Sequence, residues 1–333
     1  MATPLLRAAR QALPRARIIA ACRHGLDELL AGTPWLDEVI AGETKTFRGM
    51  VGLARRLRRL APEAAILLPN SFRSALLARL AGAARRVGYI RYGRSVLLSR
   101  GLAPPRPKQP VPALDAYARL AAWALGAEID RGMQLFVTDP QRAEAARLLE
   151  GVGRPYAVLC PGANKAAKRW PADRFAAVAD GLAGFGLAAV ATGAPGERDV
   201  VAEVARAAAV PVPDLVQRGI GIGSLKAVMA DAALCVTNDT GPRHVAAALG
   251  APVVTLFGPT DHRWTTIECP HEQILVAEPF LPEPLVADDH PRDCAITRIP
   301  VADVLAAAER LLSASPPPDP RAHGASPAST PAG

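Results

Sequence analysis

The run Asn238-Asp239-Thr240-Gly241 closes an apolar stretch, Pro242 follows it, and His244 stands on the next few residues. A strand that ends here and a helix that starts here bring free N–H groups and the positive end of the helix dipole to one point. Thr240 is placed to be the N-cap, and Gly241 lets an anion approach the backbone closely. That chemistry suits a phosphate. A well-capped strand-to-helix turn accounts for Asp239, Thr240 and Gly241 by itself, but not for His244 on the same turn.

Two further stretches carry similar chemistry. In "CPGANKAAKRWP" a strand ends in Pro161-Gly162 and the loop presents Lys165, Lys168 and Arg169, cations that suit a diphosphate. Solvated surface charge is the preferred reading for Lys165. In "ATGAPGERD" another strand-end glycine turn offers Glu197 as an acceptor for a sugar hydroxyl, although an acid in a helix's first turn is common. No GxGxxG follows a strand and no GxxxxGK[ST] occurs. A DxD triplet is also missing, so a metal-gripped diphosphate is not indicated. In "RGIGIGSLKAV" the glycines read as a loop before a helix capped by Ser224.

The elements that must position these residues alternate along the chain. Strand-like runs "ARIIAAC", "AAILLP", "RRVGYI", "YAVLCPG", "LAAVATG", "AALCVTN" and "APVVTLFG" are separated by helical patterns such as 72–82 and 172–184. This pattern predicts an α/β protein with parallel sheets covered on both faces by crossover helices. Phe175, Val178, Ala179 and Leu182 form one apolar stripe, the face that packs on a sheet. Residues 103–112 are a Pro-rich loop, and Asp139-Pro140 starts a helix that ends at Gly151. Two domains are expected, 1–152 and 153–314, with 315–333 a disordered Pro-rich tail.

Half of the 333 residues are apolar, enough for two cores, and no uncharged apolar stretch is long enough to span a membrane. The net charge of +8 is uneven: residues 1–110 hold 20 Lys and Arg against 6 Asp and Glu, a balance of +14. Such a face implies an anionic partner, whether phosphorylated substrate, acidic membrane surface or nucleic acid. Few aromatics accompany the arginines, which argues against nucleic acid. The Arg-rich start has no acid before Asp27, superficially like a transit peptide, but Leu5, Ala8, Ala9 and Ala12 at helical spacing fit a folded helix better. The five cysteines show no CxxC pair, and Cys22, Cys160 and Cys235, at the ends of apolar runs, read as buried free thiols in a reducing compartment. Cys269, His271, His290 and Cys294 are too widely separated, across a Pro-rich acidic stretch, to favour a zinc site.

Together, "CPGANKAAKRWP", "TGAPGERD" and "VTNDTGPRHVAAALGAPVVTLFGPT" closely resemble the three nucleotide-sugar motifs of the lipopolysaccharide heptosyltransferases of glycosyltransferase family 9, in order and spacing. "LLPNSFRSALLARLAGAARRVGYIRYGR" resembles the N-domain segment of the heptosyltransferase II branch. The resemblance runs from about residue 2 to 313. It implies a GT-B fold, two Rossmann-like domains with parallel sheets facing a cleft, with donor ADP-heptose on the C-domain and glycolipid acceptor on the N-domain. It implies that Lys168 neutralises the diphosphate, that Asp239, Thr240, Gly241 and His244 hold the phosphate and heptose end, and that Glu197 takes the ribose or its neighbourhood. Asn70, Ser71 and Arg73 become acceptor-side candidates. Transfer with inversion, without metal or cofactor, onto the lipid A inner core is implied, by a monomeric peripheral enzyme at the cytoplasmic face of the membrane that binds no nucleic acid.

The family opens with a strand and a Gly-Asp turn ahead of the helix that here starts at "ATPLLRAAR". The Asp of that turn is the family's general base, so the resemblance places it upstream of Met1 and assigns no catalytic residue within this chain. Asp27 and Glu28 follow the next strand and are not its replacement. An open edge in the N-domain sheet, and donor binding with poor transfer, are the expectations for a chain begun at a downstream start. A degenerate paralogue that only holds a nucleotide sugar, and a transferase for another nucleotide-sugar donor, are the alternatives. The segment "EPFLPEPLVADDHPRDCAITRIP" departs from the Cys-rich stretch common in the family, keeping only Cys294.

Overall fold

The computed structural model describes residues 1–104, 111–282, 285 and 289–314. The expected disordered tail and residues 105–110 of the Pro-rich loop lie outside the described residues. The chain forms two compact units, Met1–Met133 with Arg263–Glu268, and Gln134–His262 with the chain from Cys269.

In the first unit, α1 (Thr3–Ala12), β1 (Ile19–Cys22), α2 (Leu26–Leu30), β2 (Glu38–Ala41) and α3 (Phe47–Arg58) are followed by β3 (Ala64–Leu67), α4 (Phe72–Leu80), β4 (Arg85–Tyr89), β5 (Arg100–Leu102) and α5 (Ala113–Leu125). The strands make two separate parallel sheets, β1-β2 and β3-β4-β5. β1 and β3 therefore each keep an edge without a strand partner among the described residues. In α1 the expected stripe is realised by Leu5, Ala8 and Ala9, whereas Ala12 is exposed at the helix end. Arg7 secures that helix by donating to the carbonyls of Asp130 (3.1 Å) and Gly132 (3.0 Å), with its guanidinium 5.7 Å above the Trp35 ring.

The second unit begins with α6 (Asp139–Leu148), β6 (Tyr156–Cys160), α7 (Ala172–Gly184), β7 (Ala188–Ala191), α8 (Arg198–Ala207) and α9 (Ile222–Ala230). It continues through β8 (Leu234–Asn238), α10 (Gly241–Ala248), β9 (Val253–Phe257), β10 (Glu272–Val276) and α11 (Val301–Ala314). One parallel sheet runs in the order β10-β9-β8-β6-β7. Every residue of β6, β8 and β9 is buried, the pattern of parallel strands covered on both faces. The predicted stripe Phe175, Val178, Ala179 and Leu182 is fully buried, in one core with Trp170, Val201, Val304 and Leu311.

The division between units falls after Met133, not at residue 152. The physical reason is that α6 packs on α9, and the residues flanking them join as well: Arg218 donates to the carbonyls of Leu148 (2.7 Å) and Glu150 (3.0 Å), and Arg142 lies 3.5 Å from Asp231. α9 also starts earlier than expected. Gly221 is its N-cap, and Ser224, one turn in, accepts the Gly221 N–H at 3.0 Å.

The strand order fixes where a ligand fits. From β6 the chain steps outward through α7 to β7, then crosses back to β8 and continues outward the other way to β9. The carboxyl ends of β6 and β8 therefore flank the point where the order reverses, the binding crevice of open α/β sheets.

Candidate functional site

Two of the sequence's three glycine turns meet at that crevice. After β6, the Pro161-Gly162 turn is stitched to β8 by Asn238, whose Nδ2 donates to the carbonyls of Pro161 (2.8 Å) and Gly162 (3.2 Å). Its Oδ1 accepts the Trp170 N–H at 3.2 Å. Trp170 is fully buried, edge-on to Phe175 at 5.2 Å, with Nε1 donating to the Ile299 carbonyl at 3.0 Å. The loop between Pro161 and Trp170 is thus pinned at both ends. Lys165 is exposed, in keeping with its reading as surface charge. Arg169 turns its Nε to the Ala163 carbonyl at 2.9 Å, bracing the loop itself.

Lys168 is the cation aimed at the second turn. Its Nζ lies 3.5 Å from Asp239 Oδ2, with the Lys side chain 22% exposed and the Asp side chain 8%. Asp239 also accepts from Thr260 Oγ1 at 3.3 Å and faces Arg243 Nη1 at 3.6 Å. The expected cluster of Lys168, Asp239, Thr240, Gly241 and His244 is one neighbourhood at the start of α10.

Thr240 occupies the N-cap position, but its hydroxyl does not cap. Oγ1 is directed to the Asn238 carbonyl at 3.3 Å, so the first turn receives no hydrogen bond from its cap side chain. That differs from the sequence expectation, because the Thr240 backbone is nearly fully extended and carries the side chain back over β8. The helix N-terminus keeps its anion-attracting character. At Gly241 an added Cβ would meet no atom within 4 Å, and the backbone is not left-handed. Nothing in the fold requires glycine there.

His244 is half-buried and its Nδ1 makes no hydrogen bond among the described residues. Burial, reinforced by the neighbouring Arg243 charge, pushes its pKa down to about 3. His244 is therefore a neutral imidazole at physiological pH, able to donate from one nitrogen and accept at the other.

Glu197 approaches the same crevice from the β7 side. Its Oε2 accepts the Ala194 N–H at 2.8 Å, closing the turn, and its carboxyl lies directly over Gly162. A Cβ at 162 would overlap that carboxyl, so the Glu197 side chain would have to swing away to admit one. Glu197 thus stands beside the β6 turn with one oxygen committed to backbone.

The acceptor-side candidates lie in the first unit. Asn70 Oδ1 accepts from Arg94 Nη2 at 3.0 Å, and Ser71 caps α4 by accepting the Ser74 N–H at 3.2 Å. Arg73 is exposed on the first turn of α4. Arg94, which ends the stretch resembling the heptosyltransferase II segment and had no role assigned there, is fully buried and organises this corner, donating to the carbonyls of Tyr89 (2.9 Å) and Pro69 and to Ser74 Oγ (3.2 Å). Asn238 and Thr260 also line the crevice, with Arg243 and Glu272 behind Asp239, and the sequence assigned a role to none of the four. Only Asn238 carried a signal, as the polar residue ending a buried strand.

Cys160 and Cys235 are buried in β6 and β8, and burial raises both thiols, Cys235 to about 12; Cys22 is only partly buried. Among the described residues no three His, Cys, Asp or Glu side chains cluster to hold a metal, and no helix is long and apolar enough to cross a membrane.

Parallel-sheet α/β units with an anion-ready turn at the strand-order reversal define a Rossmann-like protein, the architecture that GT-B glycosyltransferases share. Residues 50–281 match the model of glycosyltransferase family 9 (heptosyltransferase), and the chain belongs to that family. Lipopolysaccharide heptosyltransferase 2 of Salmonella typhimurium (strain LT2) is 29% identical over 284 residues, 80% of each chain. Lipopolysaccharide heptosyltransferase 3 of Escherichia coli is 31% identical over 167 residues, 50% of this chain and 49% of the relative, so the chain spans about half the length of that match. The solved structure of E. coli ADP-heptose LPS heptosyltransferase II superimposes with a TM-score of 0.79 at 25% identity, covering 94% of each chain.

Proposed function

We propose that the protein transfers heptose from ADP-heptose to the inner core of lipopolysaccharide, a lipid A-Kdo-heptose acceptor, with inversion and without a metal or cofactor. The observation that carries the reading is the N-terminus of α10, to which Thr240 gives no side-chain cap, with Lys168 beside it, at the crevice where the strand order reverses between β6 and β8. A pyrophosphate in that crevice meets helix N–H groups and one ammonium, which offsets its charge without a divalent ion. The open space at Gly241 lets phosphate oxygens reach the backbone. The neutral His244 supplies a hydrogen bond to the phosphate–heptose end without adding charge. Glu197 accepts from a ribose hydroxyl with its uncommitted oxygen.

In the reaction, the acceptor oxygen forms a bond to the heptose anomeric carbon while that carbon's bond to the diphosphate oxygen breaks, and ADP departs with the electron pair. Lys168 and the α10 N-terminus stabilise the charge that grows on the leaving diphosphate. The acceptor hydroxyl releases its proton to solvent as the new bond forms, since no residue of this chain is assigned as its base. The acceptor is held by the first unit, with Asn70, Ser71 and Arg73 at its carboxyl edge, and the charge excess of residues 1–110 draws a phosphorylated glycolipid at the cytoplasmic face of the membrane.

The test is incubation of the purified chain with ADP-heptose and heptose-deficient lipopolysaccharide, reading ADP release and the mass of the acceptor. A single heptose added supports the proposal. ADP-heptose that binds but yields no glycolipid product leaves a binding protein, and absence of binding refutes the donor site.

A further inference from the structure

Arg243 breaks a local rule. It stands in the first turn of α10, where the helix dipole disfavours a cation, yet its side chain is completely buried. A buried guanidinium persists only if its charge and donors are met. Glu272, on the neighbouring edge strand β10, meets them: Arg243 Nε donates to Oε1 at 2.6 Å and Nη2 to Oε2 at 3.0 Å, and the Glu272 side chain is 4% exposed. Thr255 on β9 donates to the same Oε1 at 2.6 Å, and the guanidinium lies 4.9 Å over the Phe257 ring. The clamp directs Nη1 at Asp239 Oδ1, 3.6 Å away, while Lys168 approaches the other carboxylate oxygen at 3.5 Å.

Charges of alternating sign therefore run from the edge of the sheet into the crevice, in the order Glu272, Arg243, Asp239, Lys168. We propose that Arg243, held by Glu272, is a positioning residue that counterbalances Asp239, so that the carboxylate can orient Lys168 without repelling an anionic diphosphate. Asp239 sits immediately before the N-cap of α10, where its negative charge would otherwise cancel the dipole and the ammonium that receive the phosphates. Arg243 acts through Asp239 and does not touch the ligand. This inference rests on the donor-site reading above.

The test measures ADP affinity by calorimetry on the full chain. Replacing the pair together, Arg243→Met with Glu272→Leu, removes both buried charges at similar volume, and ADP binding is expected to weaken roughly tenfold. The KM for the nucleotide sugar should rise in parallel while that for the acceptor stays within about twofold. In an Asp239→Asn background the same pair replacement should change ADP affinity less than about twofold, since no carboxylate remains to be counterbalanced. Glu272→Gln alone keeps the guanidinium and its amide-oxygen partner, and should leave ADP affinity unchanged or tighter. A loss of affinity in Glu272→Gln equal to that of the pair replacement marks a merely structural clamp and overturns the inference. Unchanged ADP affinity in a folded pair replacement overturns it too. If the pair replacement does not fold, Glu272→Gln decides by the sign of its effect. Failure of the unaltered chain to bind ADP sinks the donor-site reading itself, a distinct result.

Discussion

The two units handle buried charge in opposite ways. In the first, the fully buried Arg94 is directed at backbone carbonyls, Ser74 and Asn70 within its own corner, and holds the loop after β3 in shape. In the second, the fully buried Arg243 is clamped by Glu272 and then faces Asp239 at the rim of a crevice. The sheets differ in the same sense. The strands of β1-β2 and β3-β4-β5 are only partly covered, with a run of buried residues in β4 alone, whereas β6, β8 and β9 are buried throughout. A continuous sheet can hold polar side chains at its carboxyl edge without using them for its own support, and that is where this chain concentrates its ligand chemistry.

Lys168→Ala gives the largest separation between the units. It removes a charge-assisted contact of about 1.5–3 kcal/mol, so ADP binding should fall by roughly tenfold to a hundredfold in calorimetry with the melting temperature almost unchanged. Arg94→Met should do the reverse. It leaves Pro69, Tyr89 and Asn70 without their donor, at a cost of about 1–3 kcal/mol, and should lower the melting temperature while ADP affinity holds. A loss of ADP affinity in Arg94→Met would break the comparison.

Gly162→Ala pushes into the Glu197 carboxyl and should weaken ADP binding by roughly tenfold, checked by the same titration. Gly241→Ala meets open space in the protein, so stability should hold or rise slightly while ADP affinity falls severalfold. Equal ADP affinity in Gly241→Ala would mean that no ligand approaches that backbone.

The smallest effect concerns pH. Burial lowers His244 from the ordinary 6.5 to about 3, so between these values the unfolded chain binds a proton that the folded chain does not. Its destabilising contribution is nil well above pH 6.5 and grows as pH falls toward 3. His244→Gln should flatten the decline in melting temperature between pH 7 and pH 5.

The buried strands of the second unit were legible because parallel strands covered on both faces are continuous apolar runs, as in "YAVLC" and "VVTLF". β2 and β10 were not, because "EVIA" and "EQILV" begin with acids and are mostly half-exposed. The turns carrying Lys168, Glu197 and Asp239 were visible as glycines and charges at strand ends. Arg243 and Glu272 were not, since they lie 29 residues apart on different elements, and nothing local marks which of 39 Lys and Arg side chains is buried. The behaviour of Thr240 was equally hidden: residue type predicts a cap, while backbone dihedrals decide where the hydroxyl points.

If the carboxyl edge of the second unit's sheet receives the nucleotide's diphosphate, a crystal structure of the chain with ADP should show it. Diphosphate density is expected within hydrogen-bond distance of the first-turn N–H groups of α10 and of Lys168 Nζ. Density for ADP elsewhere, with that turn occupied only by solvent, would contradict it.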